Sequence, residues 1–171
     1  MITRRSILLF LISGILLALS AFMRTVVAEA DVETRNRQSI ENAFESWHKG
    51  TGSVFDLLAD SAQWTVVGHS AVSGTFQSKQ DFLDNVITPF NARLSHRLVP
   101  TVRSVYADGD MVIVLWDGEA TALDGKPYEN SYTWYLEMRE GKVISATDFC
   151  DSVSLNDLWA RVKPAAEHQA D

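Results

Sequence analysis

The chain predicts an α+β fold in which helices pack on one face of an antiparallel sheet. Three observations carry this. Helical stripes dominate the N-terminal half, whereas residues 94–150 read as consecutive strands. The strands are joined by "ADGD", "LDGK" and "MREGK", and Asp-Gly is a strong hairpin signal. In "SYTWYLEM", Tyr132, Trp134, Leu136 and Met138 fall on one face and more polar residues on the other, the two-residue period of a half-buried strand. Helices followed by a meander give segregated layers rather than an alternating parallel sheet.

Each element follows in order. The opening "MITRRSILLFLISGILLALSAFMRTVVAEA" has a basic start at Arg4 and Arg5, an apolar run over 7–23, and small-residue cleavage sites ending at Ala28 and Ala30. It reads as a secretory signal over 1–30, so the protein is expected to be exported to a periplasmic or extracellular space; an uncleaved membrane anchor is the alternative. One domain is expected over 31–164, with a disordered tail over 165–171. Residues 32–49 form a helix, with Ile40, Ala43, Phe44 and Trp47 on one stripe and Gly50 ending it. Ser53 caps a short helix carrying Phe55, Leu57 and Leu58. "AQWTVVG" is a strand. Ser78 and Asp81 start a third helix with Phe82, Val86, Ile87 and Phe90 on its apolar face, and Pro89 limits its last turn. Strands follow over 94–106, 111–122, 128–138 and 142–150. Ser154 and Asp157 start a short terminal helix with Leu158 and Trp159, stopped by Pro164.

Composition narrows the function classes. The formal net charge is −7, and loss of residues 1–30, with Arg4, Arg5, Arg24 and Glu29, takes it to −9. Such a surface disfavours nucleic acid and anionic membranes as partners. Cys150 is the one cysteine, so no internal disulfide forms, and a buried inert thiol is expected. The four histidines, His48, His69, His96 and His168, lack the paired spacing of a zinc site. No glycine-rich phosphate loop or Gly-x-Ser-x-Gly elbow occurs. Neither a metal nor an organic cofactor is expected.

The turns allow the strands to be aligned. Two-residue Asp108-Gly109 and Asp124-Gly125 loops and a three-residue Arg139-Glu140-Gly141 loop give inward rows that change from apolar to polar. One row is Val102, Leu115, Trp134, Ala146. The next is Pro100, Asp117, Tyr132, Asp148. The last is Leu98, Glu119, Asn130, Cys150, with His96 beyond. Asp117 and Asp148 then flank Tyr132 at the polar end. Burial and mutual repulsion would raise the pKa of at least one acid, an arrangement suited to general acid–base catalysis.

"SWHKG", "FDLLADSAQWTVVG", "SGTFQSKQDF" and "DGKPYENSYTWYLEMREGKVISATDFCD" make the chain resemble the nuclear transport factor 2-like superfamily, particularly its SnoaL-like proteins, over about residues 35–160. The resemblance implies a cone: a curved antiparallel sheet wrapped around three helices, with a deep pocket. It also implies a wide range of activities, including isomerases, cyclases, dehydratases, epoxide hydrolases and non-catalytic binders. The ketosteroid isomerase set is absent: Ala43 and Val66 stand where that family has its tyrosine and aspartate base. Limonene-epoxide hydrolases are similar at Asp117 and Asp148, but Leu115 replaces their arginine, and Trp64 and Val66 replace their water-holding pair. Asp148 with His96 resembles the aspartate and histidine of SnoaL-type cyclases.

The candidate catalytic residues are therefore Asp117, Tyr132, Asp148 and His96, with Tyr132 donating to a developing oxyanion. Candidates for substrate contact are Glu119, Asn130, Trp134, Trp64 and Leu115. Plainer roles exist for most of these: cross-strand pairing for Glu119 and Asn130, packing for both tryptophans, and solvent exposure for His96. The expected ligand is a small apolar molecule with a polar head. Outward-facing Trp116 and Tyr135 would favour a homodimer through the outer sheet face. A cofactor-independent acid–base enzyme, a ligand-binding protein and a dimeric accessory domain are the three functional expectations.

Overall fold

The computed structural model describes residue 23 and residues 29–164. The tail at 165–171 and nearly all of the signal segment lie outside the described residues. Residues 29–49 are helical (α1). A 3-10 turn, Val54–Leu57, follows with a complete capping box: Ser53 Oγ accepts from Phe55 N and Asp56 accepts from Ser53 N. Strand β1 is Leu58–Val66, longer at its start than expected, and β2 is Gly74–Phe76, a short strand not among those expected.

Helix α2 runs through Lys79–Phe82, a widened turn Leu83–Ile87, and Thr88–Asn91. Ser78 caps it by accepting from Asp81 N. The widened turn lies just before Pro89, whose ring and missing N–H are incompatible with a regular preceding turn. Pro89 is thereby absorbed within the helix. Strands β3 (Leu94–Asp108), β4 (Met111–Ala122), β5 (Pro127–Arg139) and β6 (Lys142–Cys150) form the meander. Helix α3, Ser152–Arg161, is capped by Asp151 rather than by Ser154.

The six strands form one unclosed sheet in the order β2-β1-β6-β5-β4-β3. All neighbours are antiparallel except β1 and β6, which run parallel, so the sheet is mixed. Register shifts interrupt β1–β6, β3–β4 and β5–β6, and such bulges bend strands and increase their twist. The helices fill the concave side. Phe44 of α1 packs against Trp116 and Trp134, and Phe82 of α2 stacks on Trp64 at 4.4 Å between centroids. Leu155 and Leu158 of α3 are buried.

The hairpins differ from the expected ones, and the difference decides the site. Gly109 and Asp110 form the loop between β3 and β4, with Asp108 opposite Met111 and Gly109 at φ +56°. The next loop has three residues, Leu123–Gly125, closed by Ala122 N donating to Lys126 O, with Gly125 at φ +80°. One extra residue turns every side chain of β4 over relative to β5. Val112, Val114, Trp116 and Gly118 therefore face the core, whereas Leu115, Asp117 and Glu119 face outward. The last loop is the two-residue Glu140-Gly141, both at positive φ. A bulge at Ile144, between the Glu137–Ser145 and Met138–Val143 pairs, restores the parity and keeps Asp148 inward.

Candidate functional site

Between the concave sheet face and the helices lies a cavity of about 530 Å³. Trp116, Tyr132 and Trp134 supply its sheet wall, Phe82 and Phe90 its α2 wall, and Trp159 its α3 wall. The observed register gives the inward rows. Val66, Asp148, Trp134 and Val114 form one, and Cys150, Tyr132 and Trp116 form the next. Beyond them, Asn130 pairs with Gly118. Apolar β-branched and aromatic residues thus surround a single inward carboxylate.

Asp148 is 7% exposed, and its side chain lines the cavity. Burial pushes its pKa up from 3.8 to about 7. The indole N–H groups of Trp134 and Trp64 pull in the opposite direction. Neither reaches hydrogen-bonding geometry, and Trp64 Nε1, Trp134 Nε1 and Asp148 Oδ1 are all buried without a partner. A buried polar atom left unpaired costs about 1–3 kcal/mol. Asp148 Oδ1 and the two indole nitrogens are enclosed together, and the indoles lie near enough to the carboxylate to oppose its raised pKa. Trp116 Nε1, on the same wall, is also unpartnered.

Tyr132 is stacked on Trp116 at 4.0 Å, nearly parallel. Its hydroxyl meets the Tyr128 hydroxyl at 2.8 Å, and Asn130 Nδ2 donates to Tyr128 Oη at 2.8 Å. Asn130 also donates to Asp151 O and accepts from Asp151 N, tying β5 to the start of α3. Burial holds the Tyr132 phenol well above its usual range and pushes Tyr128 up to about 12. Both phenols stay protonated, and one donates to the other. Gly118 makes this packing possible: a Cβ there would lie 3.0 Å from Leu98 Cδ1 and Trp116 Cζ3, and 3.2 Å from Tyr132 Cε2. Cys150, expected to be buried, is half-buried and lines the cavity, and burial pushes its thiol up to about 12.

The structure brings together Asp148, Tyr132 and Trp134 and separates the other candidates. Asp117 is on the convex face, where Arg103 grips both its oxygens and Ser131 Oγ donates to it at 2.7 Å. Hydrogen bonds from Arg103 and then Ser131 hold its carboxyl below the usual range. The expected pair of acids about Tyr132 is therefore not formed, because β4 is turned over. For the same reason Glu119 is exposed, Leu115 faces outward, and Trp116 is fully buried inside rather than outward. His96 is exposed and its ring contacts Ser95, not the cavity. Trp64 is a core residue behind Asp148, and Asn130 is a buried clamp; neither is part of the cavity wall.

Sequence reasoning missed the inward side chain of Trp116 and the Tyr128 hydroxyl that engages Tyr132. In "MVIVLWDGEA" both parities are apolar, so periodicity is silent on β4. The available signal was that Asp117 and Glu119 share a parity while Gly118 and Ala120 share the other. Tyr128 lies on the alternation of Asn130 and Tyr132. Among the described residues, no group of three His, Cys, Asp or Glu side chains is placed to hold a metal ion.

Comparison with known proteins places this geometry in a family. Among curated proteins, none matches the sequence. Solved structures share the fold at low identity. Bal32a, from a soil-derived mobile gene cassette, is 17% identical with a TM-score of 0.63, covering 74% of this chain and 98% of its own. A nuclear transport factor 2-like protein of unknown function from Burkholderia pseudomallei K96243 is 17% identical with a TM-score of 0.62, covering 72% and 96%. TerC, co-crystallized with polyporic acid, is 21% identical with a TM-score of 0.57, covering 72% and 97%. The model of the SnoaL-like domain matches residues 40–146, most of the described chain, and the protein belongs to the SnoaL-like domain family.

Proposed function

We propose that this protein binds a small, largely apolar molecule in the aromatic cavity and moves a proton on it through Asp148. The observation that carries the proposal is the buried carboxylate of Asp148, the one acid among the described residues that line the cavity. With its pKa raised to about 7, both protonation states are populated near neutrality. The ionised form takes a proton from the ligand and the neutral form returns one, which is the requirement for isomerase, cyclase, dehydratase or hydrolase chemistry. Trp134, directly opposite Asp148, lines the cavity, and its indole N–H lowers the Asp148 pKa against the effect of burial. Tyr132 contributes its ring to the wall, with its hydroxyl already engaged by Tyr128.

The test is mass spectrometry of ligand released from natively purified wild type and Asp148→Asn, before and after incubation. Conversion by wild type with unchanged ligand in the variant supports proton transfer. Identical, unreacted ligand from both would instead support a second reading, a non-catalytic binding protein, which the single inward carboxylate also fits.

Two further parts of the proposal concern the setting. Tyr135 and Phe149 are 39% and 45% exposed on the convex face and pack edge to face at 5.9 Å. This apolar pair supports a homodimer through the outer sheet face, tested by light scattering of Tyr135→Glu. Export rests on the basic start and apolar run of residues 1–30, tested by fractionation and N-terminal sequencing of the mature chain.

A further inference from the structure

Among the described residues lining the cavity, Arg97 is the one permanently charged side chain. It lies at the start of β3, exposed to solvent, and is held in place by main-chain groups. Nη1 donates to the carbonyls of Trp47 at 2.9 Å and Leu98 at 3.3 Å, and Nη2 donates to the carbonyl of His48 at 2.6 Å. Gly50, at φ +73°, lies against the guanidinium so closely that a Cβ would come within 3.1 Å of Nε. Arg97 thus closes the C-terminal end of α1, where carbonyls favour a cation.

These contacts use three of the five N–H donors of the guanidinium. The two left are Nε–H and the second Nη2–H, which share one edge and are spaced to grip both oxygens of a carboxylate. Among the described residues, no acid pairs with Arg97, nor with Arg93, which instead lies over the Trp159 ring, whereas Arg103, Arg139 and Arg161 each have an acidic partner. In a chain of net charge −7, an oriented and unneutralised guanidinium in a cavity wall is a specific feature.

We propose that Arg97 is an anion subsite of the cavity, and that the ligand is an apolar molecule bearing a carboxylate held at the mouth. The proposal rests on reading the cavity as a ligand site. It adds that the body of the ligand enters toward Asp148 while its charge stays with Arg97. An acid deep inside would repel a second negative charge; a guanidinium at the entrance accepts one while it remains partly hydrated.

The experiment uses two probes of equal size, naphthalene-2-acetate and 2-(naphthalen-2-yl)ethanol, titrated calorimetrically into the full-length protein. The titration is done at about pH 6, where Asp148, with its pKa near 7, is mostly neutral. Wild type is expected to bind the carboxylate about tenfold more tightly than the alcohol. Added salt should narrow that gap. Arg97→Gln is expected to abolish the preference while still binding the alcohol, which reports that the fold and cavity survive. Arg97→Lys keeps the charge but not the fork, so the preference should shrink to a few-fold; it decides the matter if Arg97→Gln does not fold. Equal binding of the probes by wild type, binding of neither, or a full preference in either variant overturns the proposal. The two readings of the site fail separately. An absent Arg97 effect removes the anion subsite and leaves proton transfer by Asp148 standing. Unaltered chemistry in Asp148→Asn removes proton transfer and leaves the preference set by Arg97.

Discussion

Trp134 and Asp148 stand directly opposite one another on β5 and β6, and neither the indole N–H nor the carboxylate Oδ1 has a hydrogen-bond partner. Cross-strand neighbours with complementary polar atoms usually satisfy one another. Here the row is completed by Val66 and Val114, which offer nothing polar. The indoles of Trp134 and Trp64 are therefore the polar groups that act on the carboxylate, and they lower its pKa against the effect of burial.

The burial of Asp148 makes stability depend on pH in a defined direction. Its folded-state pKa, about 7, lies above the ordinary 3.8, so the folded protein holds a proton that the unfolded chain releases. Stability is then greatest below about pH 4 for this group and falls until about pH 7, by on the order of 4 kcal/mol. Asp148→Asn should lose that slope and be more stable than wild type at about pH 8. Urea denaturation of both proteins at the two ends of the window checks this. A variant destabilised equally at both ends would contradict it.

Asp117 behaves in the opposite sense and on a smaller scale. Its pKa is lowered by Arg103 and Ser131, so its contribution is present above the ordinary carboxylate range and is lost as pH falls through the lowered value. The pair lies at the surface, where such contacts contribute about 1 kcal/mol or less. Asp117→Asn should therefore change neither ligand binding nor conversion, and should cost no more than that in denaturation. Loss of ligand would show that the outer face matters to the site.

Gly118→Ala probes the wall rather than the acid. The added methyl meets Leu98, Trp116 and Tyr132 at 3.0–3.2 Å, and two of these form the stacked pair of the cavity wall. Overpacking of this kind costs about 1–3 kcal/mol. The near-ultraviolet circular dichroism of the aromatic cluster should change along with the stability. An unchanged spectrum with unchanged stability would show that the wall yields freely.

Asn130 and Tyr132 should separate clamp from cavity. Asn130→Ala removes hydrogen bonds to Tyr128 and to both main-chain groups of Asp151. A cost of about 2–4 kcal/mol is expected, with faster amide exchange at the start of α3. Tyr132→Phe removes one bond between phenols while the ring stays stacked, and should cost about 1 kcal/mol. Equal effects of the two substitutions would refute the clamp.

By itself the sequence determined the helices, the four-strand meander and their segregation into layers, but not β2 or the parallel pairing of β1 with β6. The stripe of Ile40, Phe44 and Trp47, the Ser53 and Ser78 caps, and the alternation from Tyr128 to Met138 each reflect local periodicity or local hydrogen bonding. Such signals are complete within a few residues. The inward direction of Tyr132, Trp134 and Asn130 was legible for the same reason. The face of β4 was not, because Met111–Trp116 is apolar on both parities and its orientation hangs on a loop of two residues or three. Only the tertiary structure decided that Leu123–Gly125 holds three and that a bulge at Ile144 returns Asp148 to the core. A strand has a period of two, so a single residue gained or lost at a turn exchanges inside for outside. That exchange put Asp117 in water and left Asp148 as the one carboxylate among the described residues of the cavity wall, while the carbonyls at the end of α1 hold Arg97 beside the cavity.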